Sequence, residues 1–419
     1  MIFPLNKYLI NVMLINLIVF ISGYALLFQL GYISGIPNSF NVLQFDAKYY
    51  LSIRNNGYTF LPEQGCSLAF FPLFPYVWKI TVLQPLGISI FNSLLFYVSF
   101  YLLICRKQIS PGIILILISA PSFVFFMLPY SEAFFFFFGT LLLNGLEKKN
   151  KLLTIIGIFG CSLVKPVTVL FVPAILLCEL IINNKLEKIQ WRYTLLQIFT
   201  ALAGLFFATT VQAIQTGKWF YSFTIQKYWN RHWLIPKFPL TTFDSPRVLG
   251  IDAVAFTIGI LALLVSVKWI IQCVFGNSED EKEIQSNPQV VFSTLFICGT
   301  MLLDVLFTFN ISDSTNIWSL NRHLFCNPFF ICFTIWLLTE KRNSKLDILL
   351  FVLTATIGFF ITGLYVFPRL AIYFVVFFLS CYLAFRFKEK WLLQIPLYLF
   401  NIILIINFYA EFIVGKWLG

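Results

Sequence analysis

Several ionisable residues occur in or beside strongly apolar segments of the sequence, and four of them are the main candidates for chemistry. These four are Asp46, Glu132, Lys165 and Arg322. A charge in apolar surroundings is costly, so an ionisable residue there marks a functional site by default. Arginine and lysine suit the binding of a phosphate, and a carboxylate at low dielectric can accept a proton from a hydroxyl. These residue types predict a pocket for an anionic substrate, provided that all four lie together.

Each of the four also has an interpretation without chemistry. Asp46 could be the N-cap of a helix that it precedes, a common position for aspartate. Glu132 could be a first-turn carboxylate that the helix dipole favours, and Arg322 could extend to lipid headgroups. Lys165 is harder to explain in this way, because Lys165-Pro166 interrupts an apolar stretch and would leave the lysine recessed between two short helices.

Further polar candidates accompany these four. Residues 229–233, Trp-Asn-Arg-His-Trp, combine flat rings with hydrogen-bond donors, which suits a sugar or a phosphate, although anchoring at a membrane interface explains them equally well. Asp304 lies near the end of its apolar segment. The sequence has only two histidines, His232 and His323, and nine scattered cysteines, so no metal-ligating cluster is predicted.

The composition places the chain in a membrane. Of 419 residues, 59% are hydrophobic and 11% charged, and the mean hydropathy is +0.85, whereas soluble domains carry about 25% charged residues. The net charge of +11 comes from short Lys and Arg clusters between apolar runs, where they would anchor to headgroups. This placement argues against nucleic acid as a partner. We predict a single all-α membrane domain over residues 1–419.

Apolar runs of spanning length recur along the chain. About 20 apolar residues cross the roughly 30 Å of hydrocarbon as a helix. Such runs lie at 8–30, 85–105, 110–127, 130–146, 193–216, 251–274, 289–309, 317–338, 346–365, 367–385 and 391–413. The stretch 152–182 predicts two short helices that meet at Lys165, because the following proline disfavours a continuous helix. The sequence thus predicts about 11–13 transmembrane helices.

Two connections between the predicted spans are long. Residues 31–84 and 217–250 are both rich in aromatic residues and proline, and the first contains two predicted interfacial helices, 45–56 and 68–83. Loops that a rigid scaffold positions often carry function. We therefore expect the chemistry on the face to which these two connections belong.

The positive-inside rule sets the expected orientation. With the N-terminus in the cytoplasm, every short basic cluster falls on the cytoplasmic side; these clusters lie at 106–107, 148–151, 185–192, 341–345 and 386–390. The acidic segment 276–288 also falls inside. No small-residue cleavage site follows the first apolar run, so we predict a retained helix. The long connections and the four charged residues then share the outer face, which suits a lipid-linked anionic substrate.

Four local patterns resemble the GPI mannosyltransferase 2 (PIG-V) family and its prokaryotic relatives. They are FDAKYYLSI at 45–53 followed by Asn56-Gly57-Tyr58, AFFPLFP at 69–75, Pro121-Ser122 with YSEAF at 130–134, and SLNRH at 319–323. The first three fall in order within residues 45–134, and the rest of the chain matches only in hydropathy and helix layout. Phe45 stands where the family often has Trp, and His323 where Tyr is more usual.

The resemblance implies a fold of the GT-C superfamily of membrane glycosyltransferases. It implies a polyprenyl- or dolichyl-phosphate-mannose donor, a glycan or glycolipid acceptor, and transfer on the lumenal or periplasmic face with Asp46 as general base. A lipid phosphate is already a good leaving group that cations can hold, and the first connection has no Asp-x-Asp pair that would call for a metal. The predicted substrate- or phosphate-binding residues are Glu132, Lys165, Arg322, His323, Arg231 and Trp229.

Other functions stay open at this point. A related GT-C enzyme could use another sugar or acceptor. A lipid-linked glycan flippase or transporter usually has paired broken helices in two inverted halves, and the break predicted at Lys165 has no counterpart in the sequence. A structural scaffold would tolerate neutral substitutions at Asp46 and Lys165. The compact chain favours a prokaryotic plasma membrane, or the ER membrane if the source is eukaryotic.

Overall fold

The protein is built almost entirely from helices. The computed structural model describes residues 6–61, 63, 65–183, 186–242, 246–275, 287–339, 345–387 and 390–418. Helices account for 76% of residues. Within the described residues, eight helices are long and apolar enough to cross a membrane, or nine if one bent pair counts as a single span. The chain is an all-helical, multi-pass membrane protein, as the composition predicts.

The elements of the described residues follow one another with short breaks. The α-helices are α1 (Lys7–Gln29), α2 (Asp46–Asn56), α3 (Leu73–Thr81), α4 (Pro85–Ile104), α5 (Pro111–Ile118), α6 (Glu132–Glu147), α7 (Lys151–Val164), α8 (Phe171–Asn183), α9 (Trp191–Thr216), α10 (Tyr221–Thr224), α11 (Pro246–Phe275), α12 (Pro288–Leu306), α13 (Leu320–Phe325), α14 (Pro328–Thr339), α15 (Lys345–Ile361), α16 (Pro368–Arg386) and α17 (Ile395–Ile413). The 3-10 helices are Ser67–Ala69, Pro121–Met127, Pro166–Leu170, Leu186–Lys188, Ile225–Trp229, Leu364–Val366 and Trp391–Gln394. Strand β1 (His232–Trp233) pairs antiparallel with β2 (Phe307–Thr308), and β3 (Asn310–Ile311) with β4 (Ser314–Thr315).

Breaks at prolines divide two of the predicted spans. The run 110–127 divides into α5 and a 3-10 helix that begins at Pro121, and the run 317–338 divides into α13 and α14, which begins at Pro328. Proline removes a backbone N–H and clashes with the preceding turn, so it ends or breaks a helix. Hydropathy does not register such breaks. The number of full-length helices is therefore lower than predicted.

The break predicted at Lys165 is present. Helix α7 ends at Val164, and Lys165 itself is extended, with φ −146° and ψ 141°. A 3-10 turn that begins at Pro166 then leads into α8. The prediction of two short helices that meet at Lys165 is confirmed.

Two further breaks also lie beside predicted site residues. The 3-10 helix Pro121–Met127 and α6 are bent by 103° relative to each other, and Glu132 is the first residue of α6. Helix α13 carries Arg322 and ends before α14. Non-helical backbone at membrane depth is tolerated where it is buried in protein or lines a cavity. The three breaks therefore bring charged side chains into the helical body.

Both helices predicted in the first long connection are present. The predicted helix 45–56 is α2, and the predicted helix 68–83 is a 3-10 turn followed by α3. Tyr50 of α2 packs edge-on against Phe74 of α3, with ring centroids 4.9 Å apart. The Tyr50 hydroxyl donates to Ser131 Oγ at 2.8 Å. These contacts fix the first connection against the start of α6.

The second long connection lies over the end of α12. Besides the β1–β2 pairing, Leu234 N donates to Leu306 O at 2.9 Å. A further bridge joins Thr241 to Asn316, just before α13. This connection therefore lies beside the segments that carry Asp304 and His323. Residues 243–245 and the predicted cytoplasmic positions 185, 276–286, 341–344 and 388–389 are outside the described residues.

Candidate functional site

Helix α2 begins with Asp46 after an unusual turn. Phe45 has φ 49°, in the left-handed region that bulky residues rarely adopt. Its ring packs against Trp417 and Phe412, with centroids 4.6 and 5.8 Å away, and this packing holds the turn. Phe45 is the N-cap residue, and no side chain caps the helix. The alternative in which Asp46 serves only as a helix cap is therefore wrong.

Arg322 joins two carboxylates that are distant in sequence. Its Nε donates to Glu132 Oε1 at 2.7 Å, and its Nη1 donates to Asp46 Oδ2 at 2.8 Å. The guanidinium carbon lies 4.7 Å from the ring centroids of both Phe125 and Tyr130. Only 7% of Arg322 is exposed. The alternative in which this side chain extends to lipid headgroups is therefore wrong.

Glu132 is fully buried and connects the two cations. Its Oε1 accepts from Arg322 Nε and, at 2.8 Å, from Lys165 Nζ. Its Oε2 is buried without a hydrogen-bond partner among the described residues. Glu132 does lie in the first turn of α6, as expected for a residue that the helix dipole favours, but its side chain also pairs with both cations. We refer to Asp46, Glu132, Lys165 and Arg322 as the ionic cluster.

The ionic cluster balances two carboxylates against two cations but leaves two groups with unused capacity. A lysine ammonium has three N–H donors, and Lys165 gives one to Glu132. The side chains of Lys165 and Asp46 are 17% and 21% exposed. Asp46 Oδ1 accepts no hydrogen bond from any residue that the structure describes. The cluster can therefore offer an outside ligand one carboxylate oxygen and an ammonium group.

Tyr50 lies beside the ionic cluster and stays neutral. Burial, and then the negative charges of Glu132 and Asp46, raise the pKa of the Tyr50 hydroxyl well above its ordinary value. Its proton is donated to Ser131. Tyr50 therefore positions the α2–α6 contact and is not a proton acceptor.

Asp304 organises a second charged group. Its Oδ2 is 2.8 Å from His323 Nδ1, and its Oδ1 is 3.9 Å from Arg231 Nη1. We call Asp304, His323 and Arg231 the Asp304 group. Asp304 thus brings together His323 and Arg231, which are both predicted site residues. Asp304 itself is not among the residues predicted to bind substrate or phosphate. The position of Asp304 near the end of an apolar helix was the only signal for it.

Trp229 does not join either charged group. It is half-buried against a small apolar cluster in which Tyr58 and Ile225 take part, and a Cβ built on Gly65 would lie 2.8 Å from its ring. Its neighbours are therefore apolar side chains and the backbone of the first long connection. Its predicted role in substrate binding stays a prediction.

One buried carboxylate near the site was missed. Asp252 Oδ1 accepts from the backbone N and the Nδ2 of Asn321, at 2.8 and 2.6 Å. Its Oδ2 accepts from Thr242 Oγ1 at 3.1 Å, and Ser122 Oγ donates to Asn321 Oδ1 at 2.6 Å. These bonds hold Asn321 at the start of α13, and Asn321 directly precedes Arg322. A lone carboxylate in an apolar helix was the available signal.

The chain matches no protein-family model, and no curated protein or solved structure is significantly similar to it. Within the described residues, no three His, Cys, Asp or Glu side chains are grouped so that they could hold a metal ion. The fold and the site together define a multi-pass membrane protein with a buried ionic cluster at helix breaks.

Proposed function

We propose that the protein is a membrane glycosyltransferase of the GT-C type. It transfers mannose from a polyprenyl- or dolichyl-phosphate-mannose donor to a glycan or glycolipid acceptor on the extracytoplasmic face. One observation carries the proposal. Three of the four segments that resemble the PIG-V family each contribute a residue to the ionic cluster: Asp46 from 45–53, Glu132 from 130–134 and Arg322 from 319–323.

The cluster suits an inverting transfer. The acceptor hydroxyl oxygen forms a bond to the anomeric carbon while the bond from that carbon to the phosphate oxygen breaks, and the electron pair leaves on the lipid phosphate. The proton of the hydroxyl passes to Asp46, whose Oδ1 is free of hydrogen bonds from the described residues. Lys165 has spare N–H donors for the phosphate, which gains negative charge as the bond breaks.

Arg322 and Glu132 have supporting roles in this proposal. Arg322 already donates to two carboxylates and is covered by two aromatic rings, so it positions Asp46. Glu132 holds Arg322 and Lys165 at a fixed separation. Of the two cations that the sequence predicts to contact the phosphate, Lys165 keeps that role in this proposal and Arg322 becomes a positioning residue.

Transport of a lipid-linked glycan is a second candidate function, and a specific observation favours it. Transporters often build their sites from discontinuous helices whose ends face the substrate. Glu132, Lys165 and Arg322 lie beside three separate helix breaks, more than the single break that the sequence predicts. Discontinuous helices around a charged site therefore suit movement of an anionic lipid as well as transfer.

A single assay separates the two candidates. Purified protein in liposomes is given polyprenyl-phosphate mannose that carries a radiolabel on the sugar, together with a membrane glycolipid extract as acceptor. Glycosyl transfer predicts free polyprenyl phosphate and label on the acceptor. Labelled donor that crosses the bilayer intact would favour transport and contradict the transferase proposal. Transfer from a glucose or galactose donor, but not from mannose, would identify a GT-C enzyme for another sugar.

A further inference from the structure

The two arginines of the site differ in what their guanidinium groups have left to bind. Arg322 donates to two carboxylates and lies against two aromatic rings. Arg231 Nη1 is 3.9 Å from Asp304 Oδ1, which is beyond hydrogen-bond distance, and the described residues offer its guanidinium no hydrogen-bond acceptor. A guanidinium has five N–H donors. The Arg231 side chain is 26% exposed, so these donors are within reach of an acceptor from outside the protein.

His323 pairs with the same carboxylate through one ring nitrogen and keeps the other available. Its Nδ1 donates to Asp304 Oδ2 at 2.8 Å, which fixes the orientation of the imidazole ring. Its Nε2 has no partner among the described residues, and 29% of its side chain is exposed. Asp304 is 9% exposed and lies between the two basic side chains. The carboxylate therefore holds His323 and Arg231 while both keep hydrogen-bonding capacity.

The ionic cluster and the Asp304 group also differ in their ratio of carboxylates to basic side chains. The ionic cluster sets two carboxylates against two cations. The Asp304 group has one carboxylate for two basic side chains, of which Arg231 is permanently charged. An anion would be held by the Asp304 group without the removal of an existing hydrogen bond.

We propose that Arg231 and His323, positioned by Asp304, form a binding site for a phosphate group, separate from the ionic cluster. The planar guanidinium matches two phosphate oxygens, and the imidazole, which pairs with the other oxygen of the same carboxylate, contributes a second donor. The inference rests on the proposed function for its choice of phosphate as ligand. The phosphate can belong to a lipid carrier or be a water-soluble phosphate, and the same two side chains would hold either.

Imidazole NMR gives a direct readout of this site. The chain has only two histidines, so the ring signals are assigned by comparison with His232→Gln, a histidine that is exposed on β1. Full-length protein in micelles is titrated at fixed pH with polyprenyl phosphate and, separately, with inorganic phosphate. The His323 signal should shift with saturation. Arg231→Gln should weaken this binding about tenfold or more, since a charge-assisted contact is lost, and Arg231→Lys should weaken it less.

The matched control is Lys237→Gln, which removes a half-exposed cation from the same connection and should leave the binding unchanged. A response to polyprenyl phosphate alone assigns the site to a lipid carrier, and a response to inorganic phosphate assigns it to the phosphate group itself. A His323 signal that moves with neither ligand, or an unchanged affinity in Arg231→Gln, would overturn the proposal. Binding requires no turnover, so the result stands whether or not the protein proves to be a transferase.

Discussion

Arg322 Nη1 donates to Asp46 Oδ2 at 2.8 Å, although the two residues are 276 positions apart in the chain. The same guanidinium donates through Nε to Glu132. One side chain therefore connects α2 of the first long connection to α6 and to the short helix α13. The orientation of Asp46 depends on the planar, forked shape of that guanidinium.

Arg322→Lys should keep the charge but lose this geometry. A lysine ammonium cannot reproduce the two separate directions of Nε and Nη1, so Asp46 and Glu132 would no longer both be held. We expect transfer to fall by about 10–100-fold, which corresponds to the loss of one charge-assisted hydrogen bond. Initial rates at saturating donor measure this effect. A wild-type rate in Arg322→Lys would contradict a positioning role for Arg322.

Glu132→Gln should destabilise the protein. The substitution leaves the buried Arg322 and the mostly buried Lys165 without their shared negative charge, and breaking a buried ion pair costs about 3–5 kcal/mol. Thermal unfolding of purified protein in detergent measures the effect. The control is Asp313→Asn, whose fully exposed carboxylate is 3.6 Å from Lys237 and whose loss should leave the unfolding midpoint unchanged. Equal midpoints for the two variants would show that Glu132 does not hold the cluster.

Gly157→Ala should disturb the packing of α7 on α6. A Cβ at Gly157 would overlap the backbone nitrogen and Cα of Leu142, which cannot move aside as a flexible side chain can. Overpacking of this kind costs about 1–3 kcal/mol, and small residues let membrane helices approach closely.

The matched control for Gly157→Ala is Gly87→Ala in α4, where the nearest atom to the new Cβ would be a Leu83 side-chain carbon at 3.5 Å. Alanine is favoured over glycine in a helix by roughly 0.5–1 kcal/mol, so Gly87→Ala should be neutral or slightly stabilising. Thermal midpoints of the two variants give the comparison. A Gly157→Ala protein as stable as Gly87→Ala would contradict the close contact of α6 and α7.

The elements that local sequence specifies were predictable, and the contacts between them were not. Apolar runs and the Lys165-Pro166 pair predict the helices and one break, because length, hydropathy and proline act locally. The divided run 110–127 shows the limit of hydropathy, which predicts one span where the structure has a short helix and a separate 3-10 helix that begins at Pro121.

The site was predictable as a set of lone charges but not as a network. The rule that a charge in apolar sequence is functional selected Asp46 and Arg322, and applied evenly it would also have selected Asp252. Pairing across 276 positions has no local signature. A capping role for Asp46 was thus an equally good interpretation until the structure placed Phe45 at the cap.

The most direct test of the account compares Asp46→Asn with the wild type in transfer of radiolabelled mannose from polyprenyl-phosphate mannose to acceptors in isolated membranes. Asp313→Asn is the matched control, because its exposed carboxylate lies outside the ionic cluster. At equal amounts of protein in the membrane, the account predicts that Asp46→Asn lowers transfer by about 10²–10⁴-fold, the usual contribution of a general base, and that Asp313→Asn does not change it. An Asp46→Asn protein that transfers mannose at the wild-type rate would contradict the account.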